Sequence, residues 1–274
     1  MNWVQLESCF YRALCFSFSQ KRCIITFFSL ALCGALVVLC WALSYSATPW
    51  IALSLCFLPI FISSGVLLAL GVLLSRMYAQ EARKINLRQL IHSSKDLLVG
   101  ISYLSIPFIG AYLLCWVGIG VFFLLKALPW IGEFLSVILS FGPFLFIFCS
   151  LLLSLFNLVL LFFVAPIATQ QAVRKKTLIE RVIQVWKGRL LAGALLLLIG
   201  LIPFLCMTAL LYISAALTNT SFFVSESSLS IAVQRLFLMI PFVALLSPTV
   251  VFFFNFAVES LLCLQSKETR CDLV

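Results

Sequence analysis

Long apolar runs alternate with short basic segments along the whole chain. Six runs are long enough to cross a bilayer, whose hydrocarbon core needs about 20 apolar residues in a helix. They cover approximately residues 24–43, 51–74, 97–125, 143–167, 190–217 and 236–264, and a proline at position 107 interrupts the third. The pattern predicts an all-α, polytopic membrane protein with six transmembrane helices.

Three of the basic segments are also amphipathic. Residues 1–22, 75–96 and 170–189 repeat apolar side chains at three- and four-residue spacing among lysines and arginines. Such a helix lies in the headgroup plane of a membrane, and each cation near an anionic leaflet contributes about 1 kcal/mol of attraction. We therefore predict a bilayer with anionic headgroups as the partner of these helices. The basic residues predicted to contact headgroups are Arg83, Lys84, Arg88, Arg174, Lys175, Lys176, Arg181 and Lys187.

The chain repeats one arrangement three times, as basic amphipathic helix, span, outer turn and span. The three units cover about residues 1–74, 75–167 and 168–264, and a tail at 265–274 is predicted to be disordered. The second span of each unit carries a proline near its outer end, at Pro59, Pro143 and Pro241. We therefore predict a single integral membrane domain over residues 1–274, built from three repeats.

This order of helices and prolines resembles that of a broad group of polytopic bacterial inner-membrane proteins of unknown role. It also resembles the membrane domain fused to some glycerophosphodiester phosphodiesterases. The resemblance covers most of the chain and implies a fold and a membrane location. The phosphodiesterase activity needs a metal-binding set of acids and histidines, and this chain has one histidine and no such cluster.

Charge predicts the orientation of the chain. Only 10% of the 274 residues are charged and 64% are hydrophobic, which leaves too little polar sequence for a separate soluble domain. The net charge of +9 invites comparison with nucleic-acid-binding proteins, but all of the 18 lysines and arginines except Lys126 and Arg235 fall on one side of the predicted spans. The positive-inside rule then predicts cytoplasmic N and C termini. We expect no nucleic-acid partner.

The sequence offers no catalytic, cofactor-binding or metal-binding motif. The 11 cysteines contain no CxxC pair and no metal-ligand spacing, so we expect them to act as small apolar residues rather than as a disulfide framework. His92, the only histidine, falls on the polar side of an amphipathic segment, where we expect it to be solvated.

Three polar residues within predicted spans are the candidate functional residues, because burying charge in a membrane costs about 2.5–3.5 kcal/mol on insertion scales. Glu259 is the only acid there, and we expect it to pair with Arg174 or Lys175; the alternative is a proton or substrate site. Asn157 and Asn255 are predicted to hydrogen-bond between helices, with a transport pathway as the alternative.

These observations favour a non-enzymatic membrane protein that organises lipids or partner proteins. The alternative is a small-molecule or lipid transporter, since transporter folds often contain internal repeats. A lipid-modifying enzyme is a third, weaker interpretation, because no cluster of catalytic polar groups occurs near the interface. The oligomeric state and any protein partner remain open.

Overall fold

The computed structural model of the protein describes residues 3–45, 47–79, 98–126, 137, 141–170, 190–222 and 228–271. These residues form α-helices with short turns, and no strand occurs among them. In chain order the helices are α1 (Trp3–Cys15), α2 (Gln20–Tyr45), α3 (Pro49–Ala79), α4 (Ile106–Lys126), α5 (Gly142–Gln170), α6 (Leu190–Phe222) and α7 (Ser228–Cys271). The all-α fold is therefore confirmed.

Six helical segments are long and apolar enough to cross a membrane. They cover residues 20–44, 51–79, 98–126, 142–169, 192–218 and 231–263, and each contains the 20 or so residues that span about 30 Å of hydrocarbon. All six predicted runs thus correspond to a helical segment. The protein is an integral membrane protein with several spans.

The α-helix of the third span is interrupted close to Pro107, as predicted. A 3-10 turn, Tyr103–Ser105, precedes Ile106, the first residue of α4. Pro107 has no N–H to donate, and its ring clashes with the carbonyl group four residues earlier, at Tyr103. The tighter turn therefore lies where an α-helical hydrogen bond is lost.

Two segments predicted to be irregular are largely helical. The predicted outer turn between the fifth and sixth spans is shorter than the predicted limits of those spans imply, because α6 continues to Phe222 and α7 begins at Ser228. The prediction of a disordered tail was wrong for residues 265–271, since α7 continues to Cys271. This stretch has good helix formers and no proline or glycine, and adding residues to an existing helix requires no new nucleation.

Two helices, α3 and α7, lie at the centre of the bundle. Helix α3 contacts α2, α4, α5 and α7, and α7 contacts α1, α2, α3, α5 and α6. In α3, 56% of the most apolar 18 residues are buried, against 11% in each of the spans that contain α2 and α4. The peripheral helices therefore present most of their apolar surface to the surroundings.

The tightest packing lies along α7, where every residue from Val250 to Leu261 is buried. Aromatic rings fill this region, and glycines on neighbouring helices make room for them. A Cβ atom added at Gly71 of α3 would overlap the ring of Phe254, and one at Gly200 of α6 would lie 2.9 Å from Phe256. Small residues thus allow α3 and α6 to approach α7 closely, as in many membrane bundles.

A second cluster of buried side chains joins α3, α4 and α5. Phe61 and Tyr112 stack with ring centroids 4.7 Å apart, and Phe146 of α5 lies 6.0 Å from the Tyr112 ring. The Tyr112 hydroxyl donates to the carbonyl oxygen of Ser54, so the polar end of this ring is satisfied inside the bundle.

Helix α1 is amphipathic, as predicted, but its apolar side packs on α7 rather than facing lipid alone. Cys9 and Ala13 are buried, and the Phe10 ring lies 4.9 Å from Phe252. Tyr11 on the opposite side is 67% accessible, and Trp3, the first residue of the helix, is 83% accessible. Contacts with the bundle therefore fix the position of α1.

The other two predicted amphipathic helices fall mainly on residues 80–97 and 171–189, which lie outside the described residues. The same holds for most of the connector between Lys126 and Phe141 and for His92. The threefold repeat therefore remains a prediction.

Candidate functional site

Buried polar side chains collect at one end of the bundle. The first turn of α2, the last turn of α3 and the later part of the α7 span meet there, beside α1. We call Arg22, Tyr78, Asn255 and Glu259 the polar cluster, and this end the α1 end of the bundle. Arg22, Asn255 and Glu259 are 2%, 0% and 8% exposed, so the surrounding protein must replace the water that these groups lose.

Arg22 is one of the largest fully buried side chains among the described residues. Its Nη1 donates to the carbonyl oxygen of Phe16 at 3.3 Å, and a longer contact of 3.5 Å reaches Oδ1 of Asn255. The guanidinium carbon also lies 5.4 Å from the ring centroid of Tyr78 and 5.9 Å from that of Phe16. Desolvated cation–π contacts of this kind are worth up to about 2 kcal/mol.

Tyr78 connects the buried cation to the buried carboxylate. Its hydroxyl donates a hydrogen bond of 2.6 Å to Oε1 of Glu259, while its ring faces Arg22. Hydrogen bonds to a charged group contribute about 1.5–3 kcal/mol. The edge of the Phe16 ring meets the Tyr78 ring at 87°, with centroids 5.6 Å apart, which holds the phenol in place.

Asn255 occupies the same side of α7 as Glu259, one turn earlier. Its Oδ1 faces Arg22, but its buried Nδ2 has no hydrogen-bond partner among the described residues. The buried hydroxyl groups of Ser75, one turn before Tyr78 in α3, and of Ser260, which follows Glu259 in α7, also have no hydrogen-bond partner among the described residues. This end of the bundle therefore contains more buried polar groups than the hydrogen bonds among the described residues satisfy. Buried donors without a partner lower the stability of a protein.

The structure brings two of the three predicted candidate residues together. The partners that they contact were not among those predicted. Asn255 and Glu259 belong to one cluster, and the 3.5 Å contact of Asn255 with Arg22 links α7 to α2. Glu259 bonds to Tyr78, while its predicted partners Arg174 and Lys175 lie outside the described residues. Asn157 is buried in α5, but its Oδ1 has no hydrogen-bond partner in the described part of the chain.

All eight residues predicted to contact headgroups lie outside the described residues, so those contacts remain predictions. They are Arg83, Lys84, Arg88, Arg174, Lys175, Lys176, Arg181 and Lys187.

Arg22 and Tyr78 were missed as members of a site. Both lie at span ends, where a cation or a tyrosine usually faces the headgroups, so their positions in the sequence suggested only anchoring. The one signal in the sequence was the opposite charge of Arg22, at the start of one span, and Glu259, near the end of another. Sequence alone does not bring those two helices together.

The chemistry open to this cluster is neutralisation of charge and hydrogen bonding between helices. Within the described ranges, no group of three or more His, Cys, Asp or Glu side chains is arranged to hold a metal ion. The cluster joins α2, α3 and α7 through charged and aromatic contacts inside the bundle, where burial by protein leaves little water to compete for hydrogen bonds. No protein-family model, curated protein or solved structure matches the chain.

Proposed function

We propose that this chain is a non-enzymatic protein of a bacterial inner membrane that organises anionic lipids at the cytoplasmic face. In this proposal both termini are cytoplasmic. The distribution of lysines and arginines supports that orientation through the positive-inside rule. The contact of Arg235 with Trp41 agrees with it, because Trp41 lies near the end of α2 opposite to Arg22.

The observation that carries the proposal is the seating of α1. Packing of Phe10 and Ala13 against the bundle leaves Tyr11 exposed on the other side of the helix and Trp3 exposed at its start. Tryptophan and tyrosine favour the interface between headgroups and acyl chains, and the exposed Arg12 supplies a cation next to Tyr11. A helix held in this way presents a fixed lipid-binding surface at one membrane face.

The polar cluster supports a non-enzymatic role. Glu259 and Asn255 make contacts between helices, with Tyr78 and Arg22 respectively, so the polar residues of α7 have a structural use. The lightly buried spans at the periphery add a wide apolar surface for lipid tails or a protein partner.

Lipid co-purification tests the proposal. The protein would be purified from membranes containing phosphatidylglycerol and phosphatidylethanolamine, and its bound lipids counted by native mass spectrometry. The triple variant Arg174→Gln, Lys175→Gln, Lys176→Gln should retain at least tenfold less phosphatidylglycerol, because three cations near the headgroups contribute about 3 kcal/mol. The matched control Lys126→Gln, Arg235→Gln removes the two cations of the other face and should retain the wild-type amount.

Equal retention by both variants would contradict headgroup binding at the cytoplasmic face. A stoichiometric protein partner that remains after lipid exchange would shift the role from lipid organisation to protein scaffolding.

The second candidate function is a transporter, and it is favoured by the burial of Glu259 near an Asn255 Nδ2 that has no hydrogen-bond partner among the described residues. In membranes such groups mark ion and substrate pathways as well as structural contacts. Proteoliposomes that enclose a pH-sensitive dye would separate the two. Proton flux in the wild-type protein that Glu259→Gln abolishes would support transport, and flux equal to that of empty vesicles would support the organising role.

A further inference from the structure

Two cysteines far apart in the sequence meet at the α1 end of the bundle. The Sγ atoms of Cys9, in α1, and Cys263, in α7, lie 2.7 Å apart, although the two residues are 254 positions apart in the sequence. Neither cysteine is part of a disulfide. A disulfide has a bond length of about 2.05 Å, so only a small movement separates this contact from a covalent link.

We propose that Cys9 and Cys263 form a redox latch, a pair of thiols that a peroxide converts to a disulfide and that thereby fixes α1 to α7. Both residues lie on the side that the charge distribution assigns to the cytoplasm. Thiols there are held reduced, and disulfides form transiently as sensing or regulatory modifications. The latch is therefore open under ordinary conditions and closes under oxidative stress.

The surroundings of the two thiols assign their roles. Cys9 is 4% exposed, whereas Cys263 is half-buried and accessible to a small oxidant. Burial raises the pKa of Cys9 to about 12, and the neighbouring Cys263 thiol and the Glu259 carboxylate act in the same direction. Cys9 is therefore a protonated thiol at neutral pH. Cys263 is the residue that reacts first, and Cys9 resolves the product.

The chemistry balances with hydrogen peroxide as the oxidant. The Cys263 sulfur attacks one peroxide oxygen, the O–O bond breaks, and a sulfenic acid and one water form. The Cys9 sulfur then attacks the Cys263 sulfur, the S–OH bond breaks, and the hydroxyl group leaves as a second water with the Cys9 proton. The two cysteines lose two electrons and peroxide gains them. A dithiol reductant reverses the link by thiol–disulfide exchange.

The link would act on the polar cluster as well as on α1. Helix α1 is held on α7 by side-chain packing, including the contacts of Phe10 with Phe252 and Phe256. Beyond α1, the carbonyl oxygen of Phe16 accepts a hydrogen bond from Arg22. A disulfide replaces reversible packing by a covalent tie, so α1 and the Arg22 contact next to it lose their freedom to separate from the bundle.

Peroxide crosslinking in membranes tests the latch. A variant that keeps only Cys9 and Cys263, with alanine at the other nine cysteines, would be treated with hydrogen peroxide and then with an alkylating reagent. The link closes nearly the whole chain into a ring, so the oxidised protein should migrate faster on a non-reducing gel, and dithiothreitol should reverse the change. A matched variant keeps only Cys15 and Cys263, since Cys15 is exposed on the same helix, and it should show at least tenfold less crosslink.

Two results would overturn the proposal. One is a Cys9 that stays reduced while mass spectrometry finds Cys263 oxidised to a sulfenic or sulfinic acid. The other is equal crosslinking of both variants, which would mean that α1 has no fixed register on α7. If the alanine variants fail to fold, peptide mapping of the peroxide-treated wild-type chain gives the same answer, because the peptide pair joined through Cys9 and Cys263 must then dominate.

Hydrogen exchange tests the mechanical consequence. Backbone amides of α1 should exchange at least tenfold more slowly in the oxidised protein than in the reduced one. Those of α4, which packs on α3 and α5 rather than on α1 or α7, should exchange at the same rate in both forms. Equal exchange of α1 in both forms would contradict a latch even if the disulfide formed.

Discussion

The Tyr78 hydroxyl donates a 2.6 Å hydrogen bond to Glu259 and thereby ties the end of α3 to α7. The same ring lies 5.4 Å from the guanidinium carbon of Arg22. One side chain therefore contacts a buried cation with its face and a buried carboxylate with its hydroxyl. Three helices depend on this arrangement, so its loss should be measurable as a loss of stability.

Replacing Tyr78 by Phe removes only the hydroxyl and should lower the free energy of unfolding by about 1–2 kcal/mol, because Glu259 loses a hydrogen bond in a buried position. Unfolding by a denaturing detergent, followed by circular dichroism, measures this loss. Tyr212→Phe is the control, since Tyr212 is 74% exposed and its change should be within about 0.5 kcal/mol.

A double-mutant cycle shows whether that loss belongs to the contact. Tyr78→Phe and Glu259→Gln combined should cost less than the sum of the single changes, by about 0.6–1.7 kcal/mol. Additive losses would show that the two side chains stabilise the bundle independently, contrary to the hydrogen bond.

Replacing Arg22 by Ala should lower stability by about 2–4 kcal/mol. The change leaves a void among Phe16, Tyr78 and Asn255, and it deprives buried acceptors of a donor. The neighbouring Lys21 is exposed, so Lys21→Ala should change stability by less than about 0.5 kcal/mol. Equal effects of the two variants in the detergent unfolding measurement would show that Arg22 serves only as a topological charge.

Adding one methyl group at Gly71 should disturb the centre of the bundle. The new Cβ would overlap the Phe254 ring, and forced overpacking costs about 1–3 kcal/mol, more than the helix propensity gained. A Cβ atom added at Gly118 of α4 would have no neighbouring atom within 4 Å in the described part of the chain, so Gly118→Ala should be neutral or stabilising by up to about 1 kcal/mol. Comparison of the two unfolding midpoints checks the packing of α3 on α7; a neutral Gly71→Ala variant would refute it.

Arg235 should report on the opposite end of the bundle. Its guanidinium carbon lies 3.1 Å from the ring centroid of Trp41, and cation–π contacts contribute about 0.5–2 kcal/mol. Arg235→Gln should therefore destabilise the protein by that amount and change the tryptophan fluorescence. Lys126→Gln removes an exposed cation and should leave both unchanged. If the spectra of wild type and Arg235→Gln coincide, the stacking is absent in the membrane.

The hydrophobic pattern of the sequence predicted the positions of the described helices better than it predicted their ends. Each predicted span became a helix because a bilayer leaves the backbone no partner except itself, and run length fixes the approximate limits. The interruption near Pro107 followed from a missing N–H. The ends were less predictable: α7 continued through residues 265–271, which belong to the short terminal tail predicted to be disordered.

The sequence by itself determined the fold class and the six apolar helices, and it singled out Asn255 and Glu259 as candidates, because local hydrophobicity and the cost of burying polar groups are properties of single segments. Only the tertiary structure decided their partners. It brought Arg22, Tyr78 and Glu259 together, and Cys9 to Cys263, because helix packing depends on the shapes of side chains far apart in the chain. Apolar helices of similar composition carry no local signal of which neighbour each will contact.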